Sequence, residues 1–145
     1  MKKVIISVTN DLTTDQRVDK VACSLVDAGF SVLLLGVNSK PHIILGDRPY
    51  SCHRFKMIFK KGFFFYLEFN VRLFLFLITH HCYIYLSNDL DTLCANFLAS
   101  KLKNVKLIYD SHELFSEVPE LLNRPVVKSF WICVEKNLLK RIKYS

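Results

Sequence analysis

Short runs of apolar, largely β-branched residues alternate along this chain with segments whose apolar residues recur at helical spacing. Residues 3–8 (KVIISV) and 31–36 (SVLLLG) are continuous apolar runs, typical of strands buried on both faces. Between them runs one apolar helical stripe, with Gly29 as its C-terminal stop. Strands joined in this way form parallel sheets covered on both sides. The chain therefore predicts an α/β, Rossmann-like three-layer domain with a mainly parallel sheet.

The same alternation continues through the rest of the chain. It predicts strands and helices in turn: a strand over 50–55, a helix over 63–78, a strand over 83–87, a helix beginning at Asn88 or Asp89, a strand over 105–109, and a helix from 126 to about 141. Thr13 and Gln16 fit a capping box for the first helix. A length of 145 residues suits one domain, so we expect a single domain over 1–145.

Composition narrows the class of protein. Hydrophobic residues make up 51% of the chain and charged residues 23%, which excludes wholesale disorder. The five cysteines are odd in number and none forms a CxxC pair, which argues against a disulfide framework and favours a reducing compartment. The apolar run after Met1 is too short for a signal peptide. These features predict a cytoplasmic protein.

Several familiar site motifs are missing from the sequence. It contains no GxGxxG, no GxxxxGK[ST], no nucleophile elbow, no HExxH and no paired Cys/His pattern. We therefore expect no standard dinucleotide or nucleoside-triphosphate site and no metal.

Polar and acidic residues follow three of the predicted strands, in residues 9–11 (TND), 88–91 (NDLD) and 110–113 (DSHE). Ligands of open parallel sheets bind beyond the carboxyl ends of the strands. We call each of these polar segments a strand exit. Asn, Asp and Ser are also preferred helix N-caps, so helix capping alone explains the polar residues at any single exit. Three such exits at one predicted edge favour a site there.

Two residues at these exits stand out chemically. A neutral imidazole can donate one hydrogen bond and accept another, which makes His112 a catalytic candidate, with Asp110 or Glu113 to fix its tautomer. A structural histidine is the alternative. Arg17, one turn into the first helix, can help the helix N-terminus hold an anion. Its alternative is a solvated or carboxylate-paired side chain.

The net charge of +7 is concentrated in one segment. Residues 48–72 hold six basic residues against one acidic residue, and residues 53–65 (HRFKMIFKKGFFF) mix cations with aromatic rings. This mixture suits an anionic membrane surface, whereas no recognition motif accompanies it to indicate nucleic acid. A solvated basic edge beside a core helix is the plain alternative. The cations of this predicted surface are Arg54, Lys56, Lys60 and Lys61.

The most apolar stretch, residues 62–79, approaches the length of a membrane span. Glu68, Asn70 and Arg72 lie near its middle, and each charge there costs roughly 2.5–3.5 kcal/mol on insertion scales. We therefore predict a buried or interfacial helix.

Three segments in one order resemble a known family. NDLTTDQRVDKVACSLVDAGFSVLLLG, then SNDLDTL, then YDSHELFSEVPEL with RP and W…EK behind it, are similar to the N-terminal half of bacterial family-four glycosyltransferases. The resemblance covers nearly the whole chain. It implies a GT-B architecture, in which two Rossmann-like domains face each other across a cleft. It also implies retention of configuration and no metal or further cofactor, with a UDP- or GDP-linked sugar as the donor substrate.

The resemblance also implies roles for residues at the three exits. His112 matches the active-site histidine that faces the donor sugar and phosphates. The residues implied to support this histidine are Asp110, Ser111 and Glu113, and capping of the following helix is the alternative role for Glu113. Those implied to lie near the donor pyrophosphate are Asn10, Asp11 and Arg17. Those implied on the acceptor-side loop are Asn88, Asp89 and Asp91. The glycine pair common in the family's first loop is absent here.

We therefore expect the acceptor-side domain of a retaining glycosyltransferase that transfers sugar to a cell-surface glycan or a lipid-linked acceptor. Its expected partner is a C-terminal donor-binding domain that residues 1–145 lack, and this chain alone is expected to be inactive. Its expected location is the cytoplasm or the inner face of the cytoplasmic membrane. The alternative is a non-catalytic module that binds a membrane or a partner protein. A response-regulator-like domain is disfavoured, because the first strand exit lacks an acidic pair.

Overall fold

The computed structural model describes residues 1–40, 43–110 and 125–140. Within them, five strands form one sheet: β1 (Lys3–Asp11), β2 (Ser31–Val37), β3 (Ser51–Phe55), β4 (Ile84–Asn88) and β5 (Lys106–Asp110). The spatial order is β3-β2-β1-β4-β5, and every neighbouring pair is parallel. The α/β, Rossmann-like class predicted from the sequence is confirmed.

The helices are α1 (Gln16–Asp27), α2 (Gly62–Thr79), α3 (Leu93–Lys103) and α4 (Pro125–Leu139), with a short 3₁₀ helix (Leu90–Thr92) before α3. Each predicted helix and strand exists, with bounds that differ by a few residues. The three-layer arrangement follows from how β1 alternates. Ile5 packs into the cluster with α2 and α3, whereas Val4 and Ile6 pack into the cluster with α1.

The N-terminus of α1 differs from the prediction. Its N-cap is Asp15, whose carboxylate accepts a hydrogen bond from the backbone N–H of Val18 at 3.2 Å. Thr13 does not form the predicted capping box with Gln16, because its hydroxyl donates to Asp11 at 2.7 Å instead. The predicted stop at Gly29 is confirmed, and its φ of +86° suits glycine.

Two further predictions about the strand exits were wrong in detail. Residues 9–11 were predicted to follow the first strand, but they are its last residues, after a register shift between Ser7 and Asp11. Neither Asn88 nor Asp89 caps the helix after β4, because the 3₁₀ turn intervenes and Asp89 makes no side-chain cap hydrogen bond.

One face of α2 packs on the domain, which accounts for its central polar residues. Asn70 donates to the carbonyl of Asp91 at 2.7 Å and accepts from the N–H of Ala95 at 3.2 Å, so it ties α2 to the start of α3. Glu68 accepts from the backbone N–H of Phe59 and from Arg72. By length and composition alone, α2 is the one described helix that would fit a membrane span.

Candidate functional site at the head of the sheet

The connections of the sheet change direction between β1 and β4. From β1 the chain moves outward through β2 to β3, and it then crosses to the other side to form β4 and β5. Ligands of open α/β sheets bind outside the carboxyl ends of the strands at such a switch point. A crevice of about 600 Å³ lies at this place, named here the switch-point crevice. Its described lining residues are Thr9, Asn10, Asp11, Thr14, Asp15, Gln16, Arg17, Tyr66, Asp89 and Asp91.

Five of the residues singled out from the sequence therefore meet in one crevice, although their roles stay predictions. They are Asn10, Asp11, Arg17, Asp89 and Asp91. The third exit is adjacent, because Asn88 is the register partner of Asp110 and the backbone N–H of Asp89 donates to the carbonyl of Asp110 at 3.0 Å. The expectation that the three exits share one edge is confirmed for the described residues.

Asp91 is the most buried acidic residue of the crevice, with 5% of the residue exposed. Its Oδ2 accepts a hydrogen bond from the Thr9 hydroxyl, whereas its Oδ1 is buried without a hydrogen-bond partner. Burial raises the pKa of this carboxyl to about 7, the hydrogen bond from Thr9 acts against the rise, and the charge of Asp89 adds to it. A pKa near neutrality places this carboxyl among the perturbed groups that cluster at functional sites.

Asp89 forms an ion pair with Arg17, and both residues line the crevice. The Nη2 of Arg17 lies 3.4 Å from Oδ2 of Asp89, and both side chains are partly exposed. The backbone of Asp89, at φ +67° and ψ 164°, occupies a region that is essentially restricted to glycine. Such strain concentrates at binding and catalytic sites, where the surrounding structure maintains it. The sequence analysis gave pairing with a carboxylate as one alternative for Arg17, and the structure shows this pairing with Asp89.

The other residues of the β1 exit are occupied by local hydrogen bonds. The carboxylate of Asp11 accepts from Thr13 and from the backbone N–H groups of Ser39 and Lys40, both within 3.0 Å. Burial acts against them, but these bonds hold the pKa of Asp11 below its ordinary value. Asn10 donates to Asp15 at 2.9 Å. Asp11 thus joins the ends of β1 and β2, which is a structural role.

Several predicted site residues lie elsewhere. Asn88 is 1% exposed, both of its amide atoms lack hydrogen-bond partners, and it does not line the switch-point crevice. Ser111, His112 and Glu113 lie outside the described residues, so the predicted catalytic and supporting roles there are not addressed by the structure.

The predicted basic surface lies beyond the end of β3 and outside the switch-point crevice. Lys56, Lys60 and Lys61 are exposed, and Arg54 donates to the carbonyl of Ile43 at 3.2 Å. The sequence analysis counted Arg48 and Arg72 in the same basic segment. Both have partners, since Arg48 binds Tyr50 and the carbonyl of Leu12, and Arg72 binds Glu68.

Five lining residues were missed as site candidates, namely Thr9, Thr14, Asp15, Gln16 and Tyr66. Asp15 stands directly before the first helical residue, and its type at that position is a recognisable N-cap signal. Thr9 was noted at the strand exit but given no role, and its partner Asp91 lies 82 residues away. Tyr66 reaches the crevice from α2, and no local pattern could have indicated it. Among the described residues, no group of three His, Cys, Asp or Glu side chains is placed to hold a metal.

Neither a known family model nor a curated protein sequence matches this chain. Solved structures do. The Streptomyces sp. SF2575 glycosyltransferase SsfS6, solved with thymidine diphosphate, is 10% identical with a TM-score of 0.62, over 99% of this chain and 46% of its own. MurG of Acinetobacter baumannii is 14% identical with a TM-score of 0.54, over 77% of this chain and 35% of its own. The chain thus spans less than half the length of either.

The C-terminal domain of a Pyrococcus furiosus hydrogenase is also similar, at 16% identity and a TM-score of 0.56, over 75% of this chain and 91% of that domain. At such identities the likenesses show the fold alone. They show a Rossmann-like α/β fold. Because a hydrogenase domain shares the architecture, any activity has to be argued from the site.

Proposed function

We propose that this chain is a sugar-binding domain of a GT-B glycosyltransferase. The observation that carries the proposal is the switch-point crevice, where exits predicted from the sequence to form a site line one cavity of about 600 Å³. A cavity of this size suits a small ligand. Its lining of hydroxyl, amide and carboxylate groups suits a hydroxylated ligand, because such groups satisfy the hydrogen bonds of sugar hydroxyls.

The finer proposal follows the resemblance described above. The chain is the N-terminal, acceptor-side domain of a family-four enzyme, and a separate C-terminal domain binds a UDP- or GDP-linked sugar. Transfer proceeds with retention of configuration and without a metal or other cofactor. The acceptor is a cell-surface glycan or a lipid-linked sugar, assembled at the cytoplasmic face of the membrane. The two domains then bind acceptor and donor on opposite sides of the cleft, and together they hold the two substrates in the orientation that the transfer step needs.

The test uses the protein as its own cells produce it, purified through a tag on the chromosomal gene. It is incubated with UDP- and GDP-hexoses and a membrane extract, and released nucleoside diphosphate and glycosylated product are measured. We expect transfer by the wild type, a loss of roughly tenfold in Asp91→Asn, because a buried carboxyl with a pKa of about 7 is replaced by an amide that cannot ionise, and no change in the exposed control Asp47→Asn. No turnover, together with unchanged cell glycans after gene deletion, would refute the proposal.

The predicted role of His112 needs its own variant in the same assay. Since the resemblance assigns this residue to the active site, His112→Ala should reduce the turnover rate by roughly 10²-fold or more. Full activity in that variant would show that the assignment is wrong.

A second candidate function, peripheral membrane binding, is favoured by the outer face of α2. Large apolar side chains on this face are between 48% and 61% exposed, namely Phe63, Phe64, Leu67, Val71 and Leu75. From Phe64 onward they recur every three to four residues, so they form one stripe opposite the buried Phe69 and Leu73. The exposed Lys60 and Lys61 stand at the N-terminal end of this stripe. An apolar stripe beside lysines complements the interface of an anionic bilayer.

Vesicle flotation tests this candidate. The protein should float with phosphatidylglycerol-containing vesicles and less with pure phosphatidylcholine. Lys60→Gln with Lys61→Gln should weaken vesicle binding roughly thirtyfold, since each of the two lysines near an anionic surface contributes about 1 kcal/mol. The control, Lys20→Gln with Lys106→Gln, removes the same charge from exposed sites elsewhere. Equal flotation of both double variants would contradict membrane binding through α2.

A further inference from the structure

Another cavity, of about 480 Å³, lies at the opposite end of the sheet from the switch-point crevice, and we call it the basal pocket. Residues 81–83, just before β4, and residues 103–106, at the end of α3 and the start of β5, line it. Tyr83 precedes β4 and the crevice residue Asp89 follows it, so roughly 20 Å separate the two cavities along that strand. The volume of the basal pocket is in the range that small-molecule ligands occupy.

Two lysines flank the aromatic ring of the basal pocket. Nζ of Lys2 lies 4.6 Å and Nζ of Lys106 lies 5.4 Å from the centre of the Tyr83 ring, and Tyr83 is 39% exposed. The charges of Lys106 and Lys2 lower the pKa of the Tyr83 phenol, so the electrostatic potential around this hydroxyl is positive. A negatively charged group beside the hydroxyl would therefore meet two ammonium groups and one O–H donor.

Lys103 brings a further ammonium group to the basal pocket. Its Nζ donates to the carbonyls of Leu77 and His80, at 3.1 and 2.6 Å, where α2 ends. An ammonium group has one more N–H, which remains for a ligand. Burial raises the pKa of the Cys82 thiol to about 11, but the charges of Lys103 and Lys3 act against the rise, so positive charge also reaches the inner side of the pocket.

No carboxylate of the described lining residues balances this charge. Residues 81–83 and 103–106 include neither Asp nor Glu. The ion pairs between described residues join Arg17, Arg48 and Arg72 to carboxylates, and none of these pairs includes a lysine. Ammonium groups gathered from separate parts of the chain repel one another, so a bound anion would lower the electrostatic energy of the pocket.

We propose that the basal pocket binds the phosphate group of a soluble small molecule, with Lys2, Lys103, Lys106 and the Tyr83 hydroxyl as donors. A phosphate monoester carries about two negative charges at neutral pH and several strong acceptor oxygens, which matches a site of several ammonium groups. The Tyr83 ring and Val105 provide an apolar wall for the rest of the molecule. The basal pocket shares no residue with the switch-point crevice, so this inference stands or fails independently of the proposed transferase.

The experiment maps phosphate binding on the wild-type protein by amide chemical shifts. The probes are inorganic phosphate and glycerol 3-phosphate, each titrated alone, and sodium chloride at matched ionic strength is the control for screening. We expect both phosphates to shift the amides of residues 81–83 and 104–106 in a saturable manner, and chloride to leave them unchanged. No saturable shift at these amides, or the same shifts with chloride, would overturn the proposal.

Variants then test the lysines. Lys106→Gln and Lys2→Gln should each weaken the binding of glycerol 3-phosphate roughly tenfold, because one charge-assisted hydrogen bond is lost. Lys101→Gln is the matched control, because Lys101 is also exposed but lies over the Phe97 ring and does not line the pocket. Equal affinities of the Lys106→Gln and Lys101→Gln proteins would overturn the proposal, since general charge attraction would then account for the binding.

A lipid headgroup also carries phosphate, and vesicle flotation separates this source from a soluble ligand. The double variant Lys2→Gln with Lys106→Gln should float with phosphatidylglycerol-containing vesicles as well as the wild type does. Weaker flotation of this variant, in a protein that does not bind glycerol 3-phosphate, would overturn the proposal and assign the pocket to the membrane surface.

Discussion

Thr9, near the end of β1, donates its hydroxyl hydrogen to the carboxylate of Asp91, 82 residues further along the chain. The bond joins two neighbouring strand exits across the point where the sheet reverses its direction of growth. The other oxygen of this carboxyl, Oδ1, is buried without a hydrogen-bond partner. Both the stability and the binding properties of this protein should therefore depend on Asp91.

The contribution of Asp91 to the stability of the protein should fall as the pH rises toward neutrality. Burial raises the pKa of Asp91 from 3.8 to about 7, and the charge of Asp89 adds to the rise against the Thr9 hydrogen bond. Between these pH values the folded protein retains a proton that the unfolded chain has lost, so the free energy of unfolding decreases with pH. We expect Asp91 to contribute a decrease of a few kcal/mol.

Urea unfolding at a series of pH values, followed by circular dichroism, measures this dependence. Asp91→Asn should flatten the curve between about pH 4 and pH 7, because an amide does not titrate. Asp47→Asn, at an exposed site, should keep the wild-type slope. A slope that survives in Asp91→Asn would place the titrating group elsewhere.

The Asp89→Gly variant should be more stable than the Asp89→Ala variant. Its φ of +67° with ψ 164° is strained for any residue with a Cβ. Asp89→Gly and Asp89→Ala both lose the partly exposed pair with Arg17, which contributes little. We expect the glycine variant to be more stable by about 1–2 kcal/mol. Equal free energies of unfolding for the two variants would argue against a strained backbone at this site.

Gly36 on β2 should not tolerate a methyl group. A Cβ there would lie 3.0 Å from the carbonyl oxygen of Asn10 and 2.7 Å from Cγ of the buried Leu12. Gly36→Ala must therefore displace the exit of β1, and we expect a loss of about 1–3 kcal/mol in the free energy of unfolding. Gly46→Ala is the control, because a Cβ at that position meets nothing within 4 Å. Chemical unfolding of the two variants gives the comparison, and similar losses would contradict the steric account.

Asn70 should be needed to hold α2 against α3. Its side chain makes hydrogen bonds with the carbonyls of Tyr66 and Asp91 and with the N–H of Ala95. Asn70→Ala removes all three, and we expect a cost of about 1–3 kcal/mol. The neighbouring Val71 is 51% exposed, so Val71→Ala should change stability by less than about 0.5 kcal/mol. Equal changes in thermal stability for Asn70→Ala and Val71→Ala would show that the Asn70 side chain does not stabilise the packing of α2 on α3.

The sequence could predict the elements and the class of fold because both depend on local patterns. Continuous apolar runs such as residues 31–36 occur where a strand is buried on both faces, and helical stripes occur where one face is buried. The first and last residues of a helix or strand were less predictable where a single hydrogen bond determines them. The hydroxyl of Thr13 bonds to Asp11 rather than capping α1, and Asp15 caps it instead.

The candidate site was predictable only in part. Polar exits of parallel strands share one edge of the sheet, so the sequence by itself could bring Asn10 and Asp89 to the same side of the molecule. That β1 lies beside β4 is set by how the whole sheet packs, and only the tertiary structure decided it. The contact between Thr9 and Asp91, the burial that raises the pKa of Asp91 and the approach of Tyr66 all depend on that neighbourhood. They join residues far apart in the chain, and no local periodicity records such contacts.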